Sequence, residues 1–166
     1  MCIRDSSLNM ASSAAAAATG RDAVITMLPD GSTLRQVAAD IIPVMAAGSA
    51  LIDCSTVDVD SARDVAAMAG EGGLLAVDAP VSGGVGGARS GSLTFMAGGP
   101  DAGFALAAPL FEIMGAKAVH CGGSGAGQAA KICNNMILGA TMIVTCEAFA
   151  LADGLGLDRQ KMFDVV

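Results

Sequence analysis

Short uninterrupted apolar runs alternate along this chain with longer stretches whose apolar residues recur at helical spacing. This alternation restricts the fold more than any other feature of the sequence. A strand that is apolar on successive residues must be covered on both faces, and a strand–helix–strand order with short connections builds a largely parallel sheet. Residues 23–28 (AVITML) read as a buried strand stopped by Pro29-Asp30-Gly31. Leu34, Val37, Ala38, Ile41, Ile42 and Met45 then fall on one side of a helix over 32–45, with Ser32 as the expected N-cap and Gly48 as its end. Residues 50–54 (ALIDC) form the next strand, and Asp58 or Asp60 opens a helix to about Ala69. Strands are expected at 74–77, 93–97 and 118–121, with a helix over 101–114. The stretch 80–92 is too short for a crossover helix, which predicts a less regular, antiparallel portion after the third strand.

Beyond Gly127 the pattern changes. Residues 128–153 contain no proline and a single glycine, Gly139. They predict a helix of about 25 residues, roughly 38 Å long at the standard rise. A helix of this length is not a usual crossover; it reads as a spacer or as the core of a second domain. Gly154 and Gly156 end it, and Asp158 caps another helix still running at Val166. No stretch holds the ~18 consecutive apolar residues of a membrane span, the nearest being 136–146. The start, residues 1–7, is out of character with the rest and reads as non-native, and the alanine run Ala14–Ala18 makes a poor signal peptide.

Composition removes several classes of function. A net charge of −7, with no Tyr or Trp, leaves neither the cations for a phosphate backbone nor aromatic platforms for single-stranded nucleic acid. Charged residues are only 15%, so many helix faces must be covered by another domain, subunit or stretch of chain. Cys2, Cys54, Cys121, Cys133 and Cys146 are odd in number and lack a Cys-x-x-Cys pair. They read as buried free thiols rather than as disulfides or a metal site.

Three features bear on chemistry. Lys131 is the only charged residue between Cys121 and Cys146, and it shares a helix face with Gln128 and Asn135 amid Ile132, Met136, Ile137 and Leu138. Burial and the positive end of a helix dipole both favour a neutral amine over an ammonium, and a neutral amine can exchange a proton with a hydroxyl. The glycine-rich segment 78–92 (DAPVSGGVGGARSGS) follows a strand end, where ligands sit in open α/β sheets. Its two glycine pairs expose backbone N–H groups to a small anion, and Ser82 adds a hydroxyl. Residues 125–130 (GAGQAA) mimic the G-x-G-x-x-A dinucleotide fingerprint but lack an acidic residue at the next strand end, so close packing at a helix start is the expected use. His120, the only histidine, is expected to be structural, with no acidic partner nearby.

Together these segments resemble the 3-hydroxyisobutyrate dehydrogenase family. DAPVSGGVGGARSGSLTFMAGG at 78–99 resembles its substrate loop and GAGQAAKICNNM at 125–136 its catalytic helix, while ITMLPD at 25–30 and LIDCSTVD at 51–58 match its cofactor-side strand ends. The resemblance covers about 23–157. It implies that Lys131 is the catalytic acid–base group, that Asn135 hydrogen-bonds the substrate, and that Ser82, Gly83 and Gly84 hold its carboxylate. Leu28, Pro29 and Thr56 would line the dinucleotide, NAD or alternatively NADP, and no metal is implied. The implied fold is the C-terminal part of a Rossmann-like doubly wound α/β sheet followed by a long interdomain helix that begins an all-α domain. Residues 1–22 would be a leader and incomplete helix, 23–124 a partial NAD(P)-binding domain, and 125–166 the start of the helical domain.

The family's opening G-x-G-x-x-G unit is not found here, and Thr33 stands where these enzymes often have asparagine. The segment alone is therefore expected to be inactive and to bind dinucleotide weakly. The implied reaction is oxidation of a small 3-hydroxy acid, 3-hydroxyisobutyrate first, to its semialdehyde. A homo-oligomer, dimer or tetramer through the helical domain, would carry it out in the cytoplasm, or in the mitochondrial matrix of a eukaryote, without membrane or nucleic-acid partners. Tartronate and succinic semialdehyde reductases are rivals within the family. 6-Phosphogluconate dehydrogenase is more distant, because it typically has a histidine where Asn134 stands. A rival of another class is a non-catalytic fragment that dimerises through the apolar helix.

Overall fold

The computed structural model describes residues 9–166. The expected non-native start and the thiol of Cys2 lie outside the described residues. The first of two compact units ends at Lys131, and the second runs Ile132–Val166.

The first unit is built on a six-stranded mixed sheet. Strands β1 (Ala23–Thr26), β2 (Ala50–Asp53) and β3 (Leu75–Asp78) are parallel and in register, with Thr26, Asp53 and Asp78 aligned at their C-terminal ends. The short β4 (Val81–Ser82) and β3 both pair antiparallel with β5 (Leu93–Gly98), which pairs parallel with β6 (Gly115–Gly122). The antiparallel turn expected after the third strand is therefore present. Within it lies a helix of about two turns, α4 (Gly84–Ser90), which the glycine-rich sequence did not suggest. Gly83 and Gly84 enter that helix at φ of 125° and 58°, a backbone path disfavoured for side-chain-bearing residues.

Alternate residues of β2 and β3 feed two separate cores. Leu51 and Ala76 pack with Leu34, Ala38 and Ile41 of α2 (Gly31–Ile41) and with Ala62, Val65 and Ala69 of α3 (Val59–Glu71). Ala18, from α1 (Ala14–Ala18), closes that layer. Ile52 and Val77 pack on the other face with Phe95 and with Ala107 and Phe111 of α5 (Asp101–Met114). Burial on both faces is why these strands are apolar without alternation. Two strands depart from that expectation. β1 and β6 are edges among the described residues, so Ile25 is 43% exposed and Val119 is 38% exposed.

Helix boundaries also correct the sequence reading. The side chain of Asp30, not Ser32, caps α2 by accepting from the Thr33 N–H. Ser32 instead donates its hydroxyl to Asp30. The helix ends at Ile41 rather than near Gly48, because Pro43 lacks the N–H to continue it and a single 3-10 turn follows. Of the expected buried thiols, Cys54 is buried, Cys121 is half-buried, and Cys133 and Cys146 are exposed. Burial, with a further push from the neighbouring Asp53, raises the Cys54 thiol to about 12. We expect Cys54 of this chain to resist iodoacetamide at pH 8 until denatured, because the thiolate is the nucleophile. Cys133 and Cys146 should label at once, as read by peptide mass spectrometry.

Helix α6 (Ala126–Gly154) has 29 residues and crosses from the first unit into the second. It is long and apolar enough to span a membrane by length and composition alone. This corrects the expectation from uninterrupted runs, because glycine and threonine break a run without lowering the average much. A last helix, α7 (Arg159–Val165), is capped by Asp158 as expected.

Candidate active site

The parallel strands β1, β2 and β3 all end on the same edge of the sheet, which is where open α/β sheets bind ligands. A buried polar cluster organises that edge. Asp53 accepts from the hydroxyls of Thr26 at 2.7 Å and Ser55 at 2.6 Å. Ser55 Oγ in turn accepts from the Leu28 N–H at 2.8 Å. The loops after β1 and β2 are thus tied together. They leave Pro29 and Thr56 exposed and Leu28 half-buried on the surface. Two loop ends held side by side with an accessible rim suit one wall of a dinucleotide site, and the cluster beneath them is already satisfied by protein groups except for Asp53 Oδ2.

The end of β3 does something different. Asp78 is buried, and its carboxylate accepts from the Gly125 N–H at 2.7 Å and the Gln128 N–H at 2.9 Å. It therefore caps α6 from a strand nearly fifty residues earlier, taking up N–H groups that no preceding turn can satisfy. Burial pushes Asp78 above the ordinary carboxyl range, and the backbone N–H donors act against that rise. Glycines permit the close approach. A Cβ on Gly127 would lie 2.3 Å from the Met96 carbonyl oxygen and 2.4 Å from that of Asp78. The G-x-G-x-x-A segment is used for close packing, as expected.

With the helix start fixed in this way, Lys131 emerges half-buried and donates its Nζ hydrogen to the Val81 carbonyl at 2.6 Å. Val81 immediately precedes Ser82, Gly83 and Gly84, so the amine is anchored to the residue just before that trio. Ser82 is half-buried and the two glycines are exposed. The first unit thus brings Lys131 together with the Ser82–Gly84 loop, and Leu28 together with the loop of Thr56. Asn135 lies in the second unit and is exposed.

Two features of the site escaped the sequence reading. Asp78 appeared there only as the first letter of the loop motif. Gln128 was grouped with Lys131 as part of a polar stripe, yet it is fully buried and bonded to the loop after β2. His120 is also better partnered than expected. Its Nε2 lies 2.9 Å from the Gly99 carbonyl, its Nδ1 lies 3.5 Å from Asp101, and its ring stacks on Phe104. Among the described residues no cluster could hold a metal ion.

Residues 3–123 match the family model described as the NAD binding domain of 6-phosphogluconate dehydrogenase. Residues 125–166 match the one described as the NAD-binding of NADP-dependent 3-hydroxyisobutyrate dehydrogenase. A probable 3-hydroxyisobutyrate dehydrogenase of Mycobacterium tuberculosis is 47% identical over 154 residues, covering 93% of this chain and 52% of that protein. An NAD-dependent L-serine dehydrogenase of Pseudomonas aeruginosa is 43% identical over 159 residues, covering 94% and 53%. Among solved structures, Mycobacterium tuberculosis 3-hydroxyisobutyrate dehydrogenase with L-serine superposes with a TM-score of 0.90 at 47% identity, covering 93% of this chain and 53% of that one. The chain spans about half the length of the relatives it matches.

Proposed function

The chain belongs to the 3-hydroxyisobutyrate dehydrogenase family, and we propose on that footing that the whole protein is an NAD(P)-dependent 3-hydroxyacid dehydrogenase, with 3-hydroxyisobutyrate as its substrate. The observation that carries this reading is the placement of Lys131. The only cation in an apolar helix is delivered to the Val81 carbonyl, at the mouth of a serine- and glycine-lined loop. In this reading residues 23–124 supply part of the dinucleotide-binding domain and residues 125–166 begin the helical domain.

Leu28, Pro29 and Thr56 would line the dinucleotide, whose nicotinamide would supply the hydride acceptor when bound. The chain's own residues do the rest. Ser82 and the Gly83-Gly84 backbone N–H groups hold the substrate carboxylate and so fix where the hydroxyl-bearing carbon sits. Lys131 accepts the hydroxyl proton as the carbonyl forms, and returns it in reduction. Asn135 is assigned by resemblance to a hydrogen bond with the substrate. The bond from Lys131 to Val81 keeps the amine near Ser82 before substrate arrives, and the substrate hydroxyl then competes for the same nitrogen.

L-serine is the favoured second substrate, because one relative is named an L-serine dehydrogenase and the Mycobacterium tuberculosis structure was determined with L-serine. L-serine is itself a 3-hydroxy acid, so both readings use the same groups. The test is to assay the whole protein with NAD and NADP against 3-hydroxyisobutyrate and L-serine, and with NADH and NADPH against tartronate semialdehyde and succinic semialdehyde. The highest kcat/KM is expected for 3-hydroxyisobutyrate. Turnover of none of the four would remove the proposal.

A further inference from the structure

Gln128 is fully buried, and its side-chain amide bonds outside the helix that carries it. Its Nε2 donates to the Ser55 carbonyl at 2.8 Å, and its Oε1 accepts from the Val57 N–H at 3.2 Å. These two backbone groups flank Thr56, whose own surface is exposed. The same Ser55 receives the Leu28 N–H on its hydroxyl. Three residues after Gln128, Lys131 reaches the Val81 carbonyl. A single side chain therefore links the rim assigned to the dinucleotide with the helical turn that presents the amine.

We propose that Gln128 is a positioning residue of the hydride-transfer site, fixing the Thr56 loop to the first turn of α6 so that the dinucleotide wall and Lys131 share one frame. This inference rests on the proposed function. A buried amide is costly unless paired, and an apolar residue of the same size would fill the space equally well. What only the amide can do is satisfy the Ser55 carbonyl and the Val57 N–H at once. Without it both lie unpaired in a dry setting, and the loop must shift until water reaches them. The consequence falls on dinucleotide binding and on the distance across which hydride moves, and the carboxylate loop is left alone.

The test uses Gln128→Leu and Gln128→Glu in the whole protein, with kcat normalised to the titre of active sites and amide exchange read at Val57. In Gln128→Leu the dinucleotide KM should rise about tenfold and kcat fall about tenfold, the size expected of a lost buried hydrogen bond. Val57 exchange should accelerate at least about tenfold for the same reason, while the hydroxy-acid KM stays within about twofold. Gln128→Glu keeps the acceptor for Val57 and loses the donor to Ser55. It should keep Val57 protected and raise only the dinucleotide KM. A Gln128→Leu protein with unchanged dinucleotide KM and unchanged Val57 exchange overturns the inference. Should that variant fail to fold, wild-type kinetics in Gln128→Glu overturn it instead. If the wild-type protein oxidises no hydroxy acid, the proposed function fails separately, and Val57 exchange with direct NADH titration still decides the role of Gln128.

Discussion

Lys131→Ala in the whole protein is expected to lower kcat for the hydroxy acid by on the order of 10³, within the range that a positioned general acid–base group supplies. Dinucleotide affinity should stay within about twofold, because the wall assigned to it is held by hydrogen bonds of Ser55, Asp53 and Gln128, whereas the Lys131 side chain bonds the Val81 carbonyl. The hydroxy-acid KM should change little, since the carboxylate is assigned to Ser82 and the Gly83-Gly84 backbone. Stability should also hold. The lysine makes one hydrogen bond, to a half-buried residue, and its loss costs about 1 kcal/mol or less. Steady-state kinetics, NADH titration and thermal melting read the three quantities separately. A fall in kcat matched by an equal fall in melting temperature and dinucleotide binding would mean that the lysine only supports the fold.

Gly127→Ala should have the opposite profile, a large loss of stability. Alanine normally improves a helix interior over glycine by about 0.5–1 kcal/mol. At position 127 the added Cβ would lie 2.3 Å and 2.4 Å from the carbonyl oxygens of Met96 and Asp78, which are backbone atoms and cannot rotate away. The start of α6 must lift from the sheet, stretching the bonds from Gly125 and Gln128 to Asp78 that depend on this approach. We expect a cost of more than about 3 kcal/mol, at the severe end for single substitutions. For a chain of this size that corresponds to a fall of roughly 6–12 °C in Tm. Gly139 is the control within the same helix. Nothing lies within 4 Å of its Cβ position, so Gly139→Ala in this chain should be neutral or mildly stabilising. Calorimetry on the two variants of this chain decides it, and equal behaviour would show that the close approach at Gly127 has no energetic weight.

The parts of the fold legible in the sequence are those set by local chemistry. β2 and β3 announced themselves because both of their faces are buried, and α5 because apolar residues fill most of the stretch from Asp101 to Met114. Asp158 was readable as a cap because it lies next to the helix it caps. Contacts made across the chain were not legible. Asp78 caps a helix that begins nearly fifty residues later, and Gln128 serves a loop 71 to 73 residues earlier. No periodicity encodes either pairing. For Gln128 a signal did exist: a lone amide in the apolar first turns of a helix needs buried partners. The exposure of Ile25 was hidden for a related reason, since a strand's own sequence does not say whether it is central or at an edge. The short helix α4 was masked by glycines, which favour no single conformation.

The central claim is that the amine of Lys131, delivered to the glycine-rich loop by a helix clamped through Asp78, meets the substrate hydroxyl. The most direct measurement is the distance between Lys131 Nζ and that hydroxyl oxygen in a crystal structure of the whole protein with dinucleotide and a bound 3-hydroxy acid. The account predicts a hydrogen bond of about 2.6–3.2 Å, with the acid's carboxylate on Ser82 and the Gly83-Gly84 backbone. A substrate carboxylate seated on Lys131 itself, with the hydroxyl turned toward another group, would contradict it.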